Sequence, residues 1–490
     1  MISIACMFQS GFHARSKQFF LKSCSRDAAI GVLRWIKPPK ASRPMQAMYA
    51  RRSVLPVVSI INADMSDGPK PASATKPYSR HAAIARMAPV LAMAFILAHF
   101  LRSAPAVIAP NLRAELDLTP GQLSSLPAAI FLGAALMQLP VGVFLDRFGP
   151  RRTMAGLFSL AAIGALVFAA AQGVTGLAIG LFLIGCGAAP VFMGVIVLLS
   201  RWIPRDQLAT GTAISISIGG TGMLLSASPF AAAVELYGWR ASLFAVGGFT
   251  LMVAAALLVM VRDRPEDAPG QASGETLYET ILGLRHVLRD RRIYSFAAVT
   301  AVAVGTLVTI RNLWIGPYLN DVFDLDIVAR GNVIFVVSVA WLISALLYGP
   351  LDRWFDTRRG VVTGGTLLFA AMTAFLALNT SSSVLIVTIL LSAFALFAAM
   401  ASPIFAHARS LFPDSHSGRV FTAINLCTWS GVFVMQMGTG AILDAFPVDE
   451  LGRSPAIAYR TMFGALAVAL MLALVVYRRV EDLPPSAERD

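Results

Sequence analysis

Twelve runs of about twenty apolar residues follow one another along this chain, and no other feature limits its folding so strongly. An α-helix rises about 1.5 Å per residue, so roughly twenty residues span the ~30 Å hydrocarbon core of a bilayer. Backbone groups inside lipid must find partners within the protein, which makes each such run a helix. The runs lie at about 84–108, 122–145, 153–173, 175–200, 208–234, 239–262, 293–318, 328–351, 360–379, 382–405, 418–443 and 456–477. The expected fold class is an all-α membrane protein of twelve transmembrane helices in two six-helix bundles. A polar stretch separates the two sets of six. The predicted organisation is a basic N-terminal extension (1–80), a first bundle (81–262), a linker (263–292), a second bundle (293–480) and a short tail (481–490). Two equal halves suggest an internal repeat.

Composition agrees with lipid as the solvent. Of 490 residues, 57% are hydrophobic and 14% charged, whereas a soluble domain carries about 25% charged residues. Cys6, Cys24, Cys186 and Cys427 show neither pairing nor metal-ligand spacing. A phosphate loop, a nucleophile motif and a soluble domain to hold either are all missing from the sequence, so no enzyme activity, cofactor or metal is expected. The net charge of +13 resembles a nucleic-acid signal until its distribution is examined. Residues 1–64 hold ten Lys or Arg against Asp27 and Asp64, and no basic face with interleaved aromatics follows, so nucleic acid is not an expected partner. A polar, Pro-rich tail opens at Met65, where translation is expected to begin. A disordered tail and an organellar presequence are the other readings of the upstream stretch.

Loop charge sets the orientation. Lys76, Arg80 and Arg86, then Arg147, Arg151 and Arg152, Arg201 and Arg205, the linker arginines, Arg353, Arg358 and Arg359, Arg409 and Arg419, and Arg478 and Arg479 fall at one set of helix ends. The other set offers Arg113, Arg240, Arg330 and Arg453, with Arg460 just inside the last helix. The positive-inside rule then places both termini and the linker in the cytoplasm, with the chain in the inner (plasma) membrane.

Where the second helix leaves the membrane, the chain reads Gly142-Val-Phe-Leu-Asp146-Arg147-Phe-Gly149-Pro-Arg151-Arg152. Gly142 lets a neighbouring backbone approach, Gly149 permits a tight reversal, and Asp146 can cap a helix or pair with an arginine. A basic loop obeying the charge rule is the plainer reading. This stretch resembles the signature loop of the major facilitator superfamily, and with the six-plus-six layout the resemblance covers about residues 80–480. It implies a transporter in which this loop is a cytoplasmic latch whose charge pairs break and re-form as the halves rock. A worn second copy reads Gly349-Pro-Leu-Asp352-Arg353-Trp-Phe-Asp356-Thr-Arg358-Arg359, with Phe355 where Gly149 stands in the first. Gly238-Trp239-Arg240 is similar to the family's common turn. The fourth helix carries Gly185-Cys-Gly187, but Leu181 stands where the family has an arginine linked to proton coupling. The fifth has Gly219-Gly220-Thr-Gly222 rather than the exporter Gly-Pro pattern, and Pro229 comes too late.

Charges inside the membrane need a reason to be there. Arg102 and Arg311 lie eighteen residues into the first and seventh runs, which are repeat-equivalents. Either they snorkel to the headgroups, or they face one another across a central cavity and attract an anion, where a guanidinium fits carboxylate or phosphate with two hydrogen bonds. The stretch around Arg102 resembles the organic-anion branch of the superfamily, although Leu101 replaces the acid that often precedes such an arginine. No acid is expected well inside any helix; Glu235 and Asp444 sit at ends. His99, three residues before Arg102, is the titratable candidate, or else a hydrogen-bonded structural histidine. Gln138, Asn312, Tyr318, Asn425 and Gln436 can orient a ligand or join helices. Trp314 and Trp429 read as packing or interface anchors.

The leading expectation is secondary active transport or facilitated movement of a small organic anion, a carboxylate metabolite, by alternating access. The partners expected are that solute, membrane lipid and a coupling proton or other ion, with the chain acting as a monomer and symporter. Drug or multidrug efflux and a non-transporting membrane sensor on the same scaffold are the other readings.

Overall fold

The computed structural model describes residues 77–203, 208–264, 282, 287–380, 383–398, 400–412 and 417–482. Expectations for the stretch before residue 77, for most of the linker and for the tail from 483 lie outside the described residues.

Prolines and one glycine decide where the helices break. The first span is α1 (Pro77–Ser103) followed by α2 (Pro105–Leu116), interrupted where Pro105 offers no N–H to the ladder. Helix α3 (Pro120–Ala170) holds two spans and folds back at Gly149, whose φ of 79° and ψ of 161° belong to a region open essentially to glycine alone. Then come α4 (Val174–Trp202), the paired α5 (Leu208–Leu225) and α6 (Ser228–Tyr237) broken ahead of Pro229, and α7 (Trp239–Met260). In the second half, α8 (Arg291–Thr309), a π-helical turn (Ile310–Trp314) and α9 (Ile315–Phe323) form one span. Helices α10 (Ile327–Trp354) and α11 (Arg358–Leu378), the broken α12 (Val384–Leu396) and α13 (Ala401–Leu411), α14 (Ser417–Asp444) and α15 (Ala456–Tyr477) complete the set. Among the described residues, ten stretches are each long and apolar enough to cross a membrane. Because α3 doubles back and α12–α13 adds a broken span, the described helices make twelve crossings.

Local chemistry starts several of these helices. Thr119 and Gln122 form a reciprocal capping box before α3, Asp326 accepts from Ala329 N at 2.7 Å before α10, and Thr357 accepts from Gly360 N at 2.8 Å before α11. Packing then relies on close backbone approach. A Cβ on Gly185 would stand 2.0 Å from the Ile130 carbonyl oxygen, and one on Gly187 would stand 2.2 Å from Ala161 N. The Gly185-Cys-Gly187 motif thus seats α4 against both limbs of α3, as small residues do between membrane helices. Large apolar side chains such as Leu136, Val259, Leu346, Leu385 and Leu472 remain exposed. A surface of that kind suits contact with lipid.

The spans differ from the sequence expectation mainly in length. The first continues to Leu116 rather than 108, and the seventh to Phe323 rather than 318. Arg113, expected at a helix end, and Asp321 therefore fall in the last turns of α2 and α9, with their side chains buried.

The two halves pack through α14 along the first limb of α3, α6 along α10, and α2 against α9. One end of the molecule carries the short connections at 117–119, 324–326 and 445–455, and hydrogen bonds fasten the halves there. The opposite end carries the reversals at Gly149 and at 355–357.

Candidate functional site

Arg102 and Arg311 come to one level from opposite halves, and both sit at irregularities. Arg102 closes α1 just before the break at Pro105, and Arg311 lies in the π-helical turn, a distortion frequent at functional positions. Arg311 Nη2 donates to Ser103 Oγ at 3.3 Å, and Asn312 Nδ2 donates to the Arg102 carbonyl oxygen at 3.3 Å. Arg102 Nη2 donates to the Ala188 carbonyl oxygen of α4 at 3.2 Å. Each guanidinium also lies over an indole. Arg102 is 5.4 Å from the Trp429 ring centroid and Arg311 is 5.3 Å from that of Trp341. Trp429 of α14 in turn stacks on Phe131 of α3, with centroids 5.7 Å apart.

The electrostatics are one-sided. Among the described residues, neither guanidinium has a carboxylate partner. Arg102 Nε, Asn312 Oδ1 and both amide atoms of Gln436 are buried without a hydrogen-bond partner there. Each guanidinium has five donors, so most of their capacity is unused. Two cations in a low-dielectric interior with no acid between them favour an anion, and a carboxylate can take two parallel N–H bonds from either.

The other sequence candidates distribute unevenly. His99 lies one turn from Arg102, within electrostatic reach of both guanidiniums, and its ring meets the edge of Phe95 at 5.1 Å. Gln138 is buried and donates to Ala134 O of its own helix at 3.3 Å. Asn425 and Gln436 share a face of α14 with Trp429, one turn to one side and two to the other. Tyr318 lies about 10 Å beyond Arg311 along the axis, in an aromatic group with Phe323, Tyr459 and Phe463, and so apart from the arginines. Trp341, Phe131, Ser103 and the Ala188 carbonyl complete the surroundings and had no sequence signal. Trp429 reads from sequence only as an anchor.

Beyond the arginines, the halves are fastened by a buried polar cluster. Arg113 Nη1 of α2 donates to Asp321 Oδ2 of α9 at 2.7 Å, with side-chain exposures of 8% and 1%. Asp321 also accepts from Tyr459 Oη at 2.7 Å and Ser454 N at 2.9 Å, while Arg113 reaches Ser454 Oγ at 3.1 Å. Nearby, Gly121 N donates to Asp444 at 2.8 Å and Ser228 Oγ to Asn332 at 2.6 Å. The Gly238-Trp239-Arg240 turn is anchored by Glu115, which accepts from Trp239 Nε1 at 2.7 Å and pairs with Arg240.

At the opposite end, the loop around Gly149 is held by an acid from beyond α7. Asp263 accepts from Arg151 N at 2.7 Å, and Arg151 Nε donates to Leu258 O at 2.6 Å. Asp146 is exposed and within electrostatic reach of Arg201, and Arg147 lies 5.6 Å from the Phe148 centroid. Arg152 is exposed, and the space beside Gly142 is open. In the second copy, Asp356 rather than Phe355 takes the left-handed conformation (φ 46°), so the reversal has moved one residue along. Asp352 pairs loosely with Arg358 at 4.0 Å; the side chain of Arg353 lies outside the described residues. Asp482, beyond α15, accepts from Arg359 N at 3.0 Å and from Thr357 Oγ1. Each half thus holds the start of its third span with an acid from just past its sixth. Neither Asp263 nor Asp482 is part of the motif, so its spacing gave no sign of them.

The family model described as Major Facilitator Superfamily matches residues 91–435, with a second match at 317–490. A protein of Agrobacterium vitis provisionally named a tartrate transporter is 25% identical over 273 residues, covering 51% of this chain and 60% of that protein. The chain thus spans about three fifths of that relative's length. The Hexuronate transporter of Escherichia coli K12 is 22% identical over 430 residues, covering 81% of this chain and 94% of that one. A solved bacterial homologue of the human lysosomal transporter Spinster, inward-facing and occupied, superposes with a TM-score of 0.63. It is 16% identical and covers 85% of this chain and 98% of its own.

Proposed function

The chain belongs to the Major Facilitator Superfamily, and from that premise we propose that it carries a small organic anion, a carboxylate metabolite, across the membrane by alternating access. The observation that carries this reading is the Arg102–Arg311 pair, drawn from both halves, rich in unused donors and without an acid partner among the described residues. Tartrate and hexuronate, named for two relatives, are small carboxylates, which agrees in kind.

The surroundings of the pair supply a route from binding to movement. Arg102 leans on Trp429 of the other half, Arg311 on Ser103, and Asn312 on the Arg102 carbonyl. An anion arriving at the guanidiniums competes for these contacts and so acts on the joint between the halves. Arg113–Asp321 and its neighbours hold one end closed in this state, and the loops at Asp146 and Asp352 act as the latch of the other. The end bearing those loops faces the cytoplasm, with both termini, in the inner membrane. The chain works as a monomer.

Thermal unfolding of the purified protein with tartrate, glucuronate and acetate tests the site. A ligand at a hundred times its Kd stabilises by about 2.7 kcal/mol, and Arg102→Ala is expected to abolish the shift. Stabilisation that survives both Arg102→Ala and Arg311→Ala excludes the pair as the anion site.

A further inference from the structure

Below the arginines, the first half contains a crevice of about 450 Å³ between α1, α4 and α5. Its walls are apolar: Ile84, Leu91 and Phe95 from α1, Leu198 and Trp202 from α4, and Ile214 from α5 are representative. Ser215 carries the one hydroxyl among the lining residues, and the Trp202 indole N–H is already given to the Arg262 carbonyl oxygen. The crevice and the arginine site lie along the same face of α1, with the rings of Phe95, Phe192 and His99 packed between them. Ile84, Ala88, Leu91, Phe95, His99 and Arg102 recur at helical spacing along one face of α1. Facing them, Ala188 of α4 receives Arg102, Phe192 stacks on Phe95 with centroids 5.9 Å apart, and Val195 and Leu198 follow into the crevice. Gly219 of α5 closes over His99 and Phe95, where an added Cβ would stand 2.8–2.9 Å from their rings. The apolar space opens at Phe95, about 10 Å from Arg102 along the axis.

We propose that the crevice is the second half of the substrate site, and that the anion carried is amphipathic: a monocarboxylate whose head lies at Arg102 and Arg311 and whose alkyl or aryl tail fills the space between α1, α4 and α5. The inference rests on the anion reading above and narrows it. Sugar acids would leave their hydroxyls facing walls with a single hydroxyl to answer them, a loss that buried polar groups do not recover. An apolar tail removes the same walls from water. The Phe95–Phe192 pair is the collar that the tail crosses.

Thermal shift and tryptophan fluorescence on the full chain, titrated with acetate, butyrate, hexanoate, octanoate and phenylacetate, test the proposal against tartrate and glucuronate. Each fully buried methylene is worth about fourfold in affinity. Octanoate is therefore expected to bind at least about tenfold tighter than acetate, even with partial burial. Ala88→Phe, which fills the crevice, is expected to bring the octanoate-to-acetate ratio towards one; Ser215→Phe serves the same purpose if that variant does not fold. Affinity independent of chain length, with sensitivity to Arg102→Ala retained, overturns the tail site and leaves the anion site standing. Octanoate binding that persists in the Arg102→Ala/Arg311→Ala double variant also overturns it, because the crevice then takes acyl chains on their own, as it would from lipid. If no carboxylate of either kind binds, the anion reading itself fails.

Discussion

At the scale of single residues, the two membrane arginines differ in what holds them. Arg311 is 5% exposed, lies over Trp341 and donates to Ser103, whereas Arg102 is half-buried and leans on Trp429. A lysine keeps the charge but neither stacks as a plane nor offers the fork that grips a carboxylate. Arg311→Lys is therefore expected to weaken anion binding almost as much as Arg311→Ala, as measured by the same titration. Asp321 poses a different question. It accepts from Arg113, Tyr459 and Ser454 while almost fully buried, so removing its charge strands the guanidinium. Breaking one side of such a pair costs about 3–5 kcal/mol. Asp321→Asn is expected to lower the unfolding temperature and loosen the joint between the halves, and recovery in the Arg113→Met/Asp321→Leu double variant would assign the loss to the stranded charge. Asp482 can be read through pH. Burial alone would raise its pKa, but hydrogen bonds from Thr357 and Arg359 outweigh that and hold it below the usual carboxylate range. A depressed acid stabilises the fold above its unfolded pKa and loses that contribution as pH falls. Wild-type stability is thus expected to decline on acidification into the carboxylate range, with a shallower decline in Asp482→Asn.

At the scale of elements, the two reversals show how one task is met by different residues. Gly149 turns α3 back at φ 79° and ψ 161°, and an added Cβ there would stand 2.7 Å from the Asp263 carboxylate. Gly149→Ala is expected to destabilise by about 1–3 kcal/mol, read as a lower unfolding temperature. In the second half, Asp356 takes the left-handed position one residue later, at φ 46°. A short polar side chain tolerates that conformation where Phe355 would not. Aligning Asp146 with Asp352 puts Phe355 where Gly149 stands and marks the second copy as worn; a turn is nonetheless present, displaced by one residue. The motif could not show this, because it records residue types and not which backbone position reverses.

At the scale of the whole molecule, the fastening of one end is the property that defines the present state. Ser228 and Asn332 lie across the joint of the halves, with their polar atoms 2.6 Å apart. A disulfide between cysteines placed at both positions is expected to lock that end and stop solute exchange in proteoliposomes, with activity restored by reductant. Undiminished exchange in the fully cross-linked protein would show that this end does not open during transport.

The apolar runs by themselves determined the all-helical class and the six-plus-six division, because the span of a bilayer fixes how long an apolar helix must be. They also placed Arg102 and Arg311 at equal depth, since an arginine interrupting an apolar run is visible as a letter. What fills the space around a side chain is not. The burial of Asp321 against Arg113, the indoles beneath both guanidiniums and the apolar crevice below Phe95 depend on partners elsewhere in the chain, from Trp341 beneath Arg311 to Trp429 beneath Arg102. Such contacts are decided by how the helices pack, and helix packing is a property of facing surfaces that no local period records.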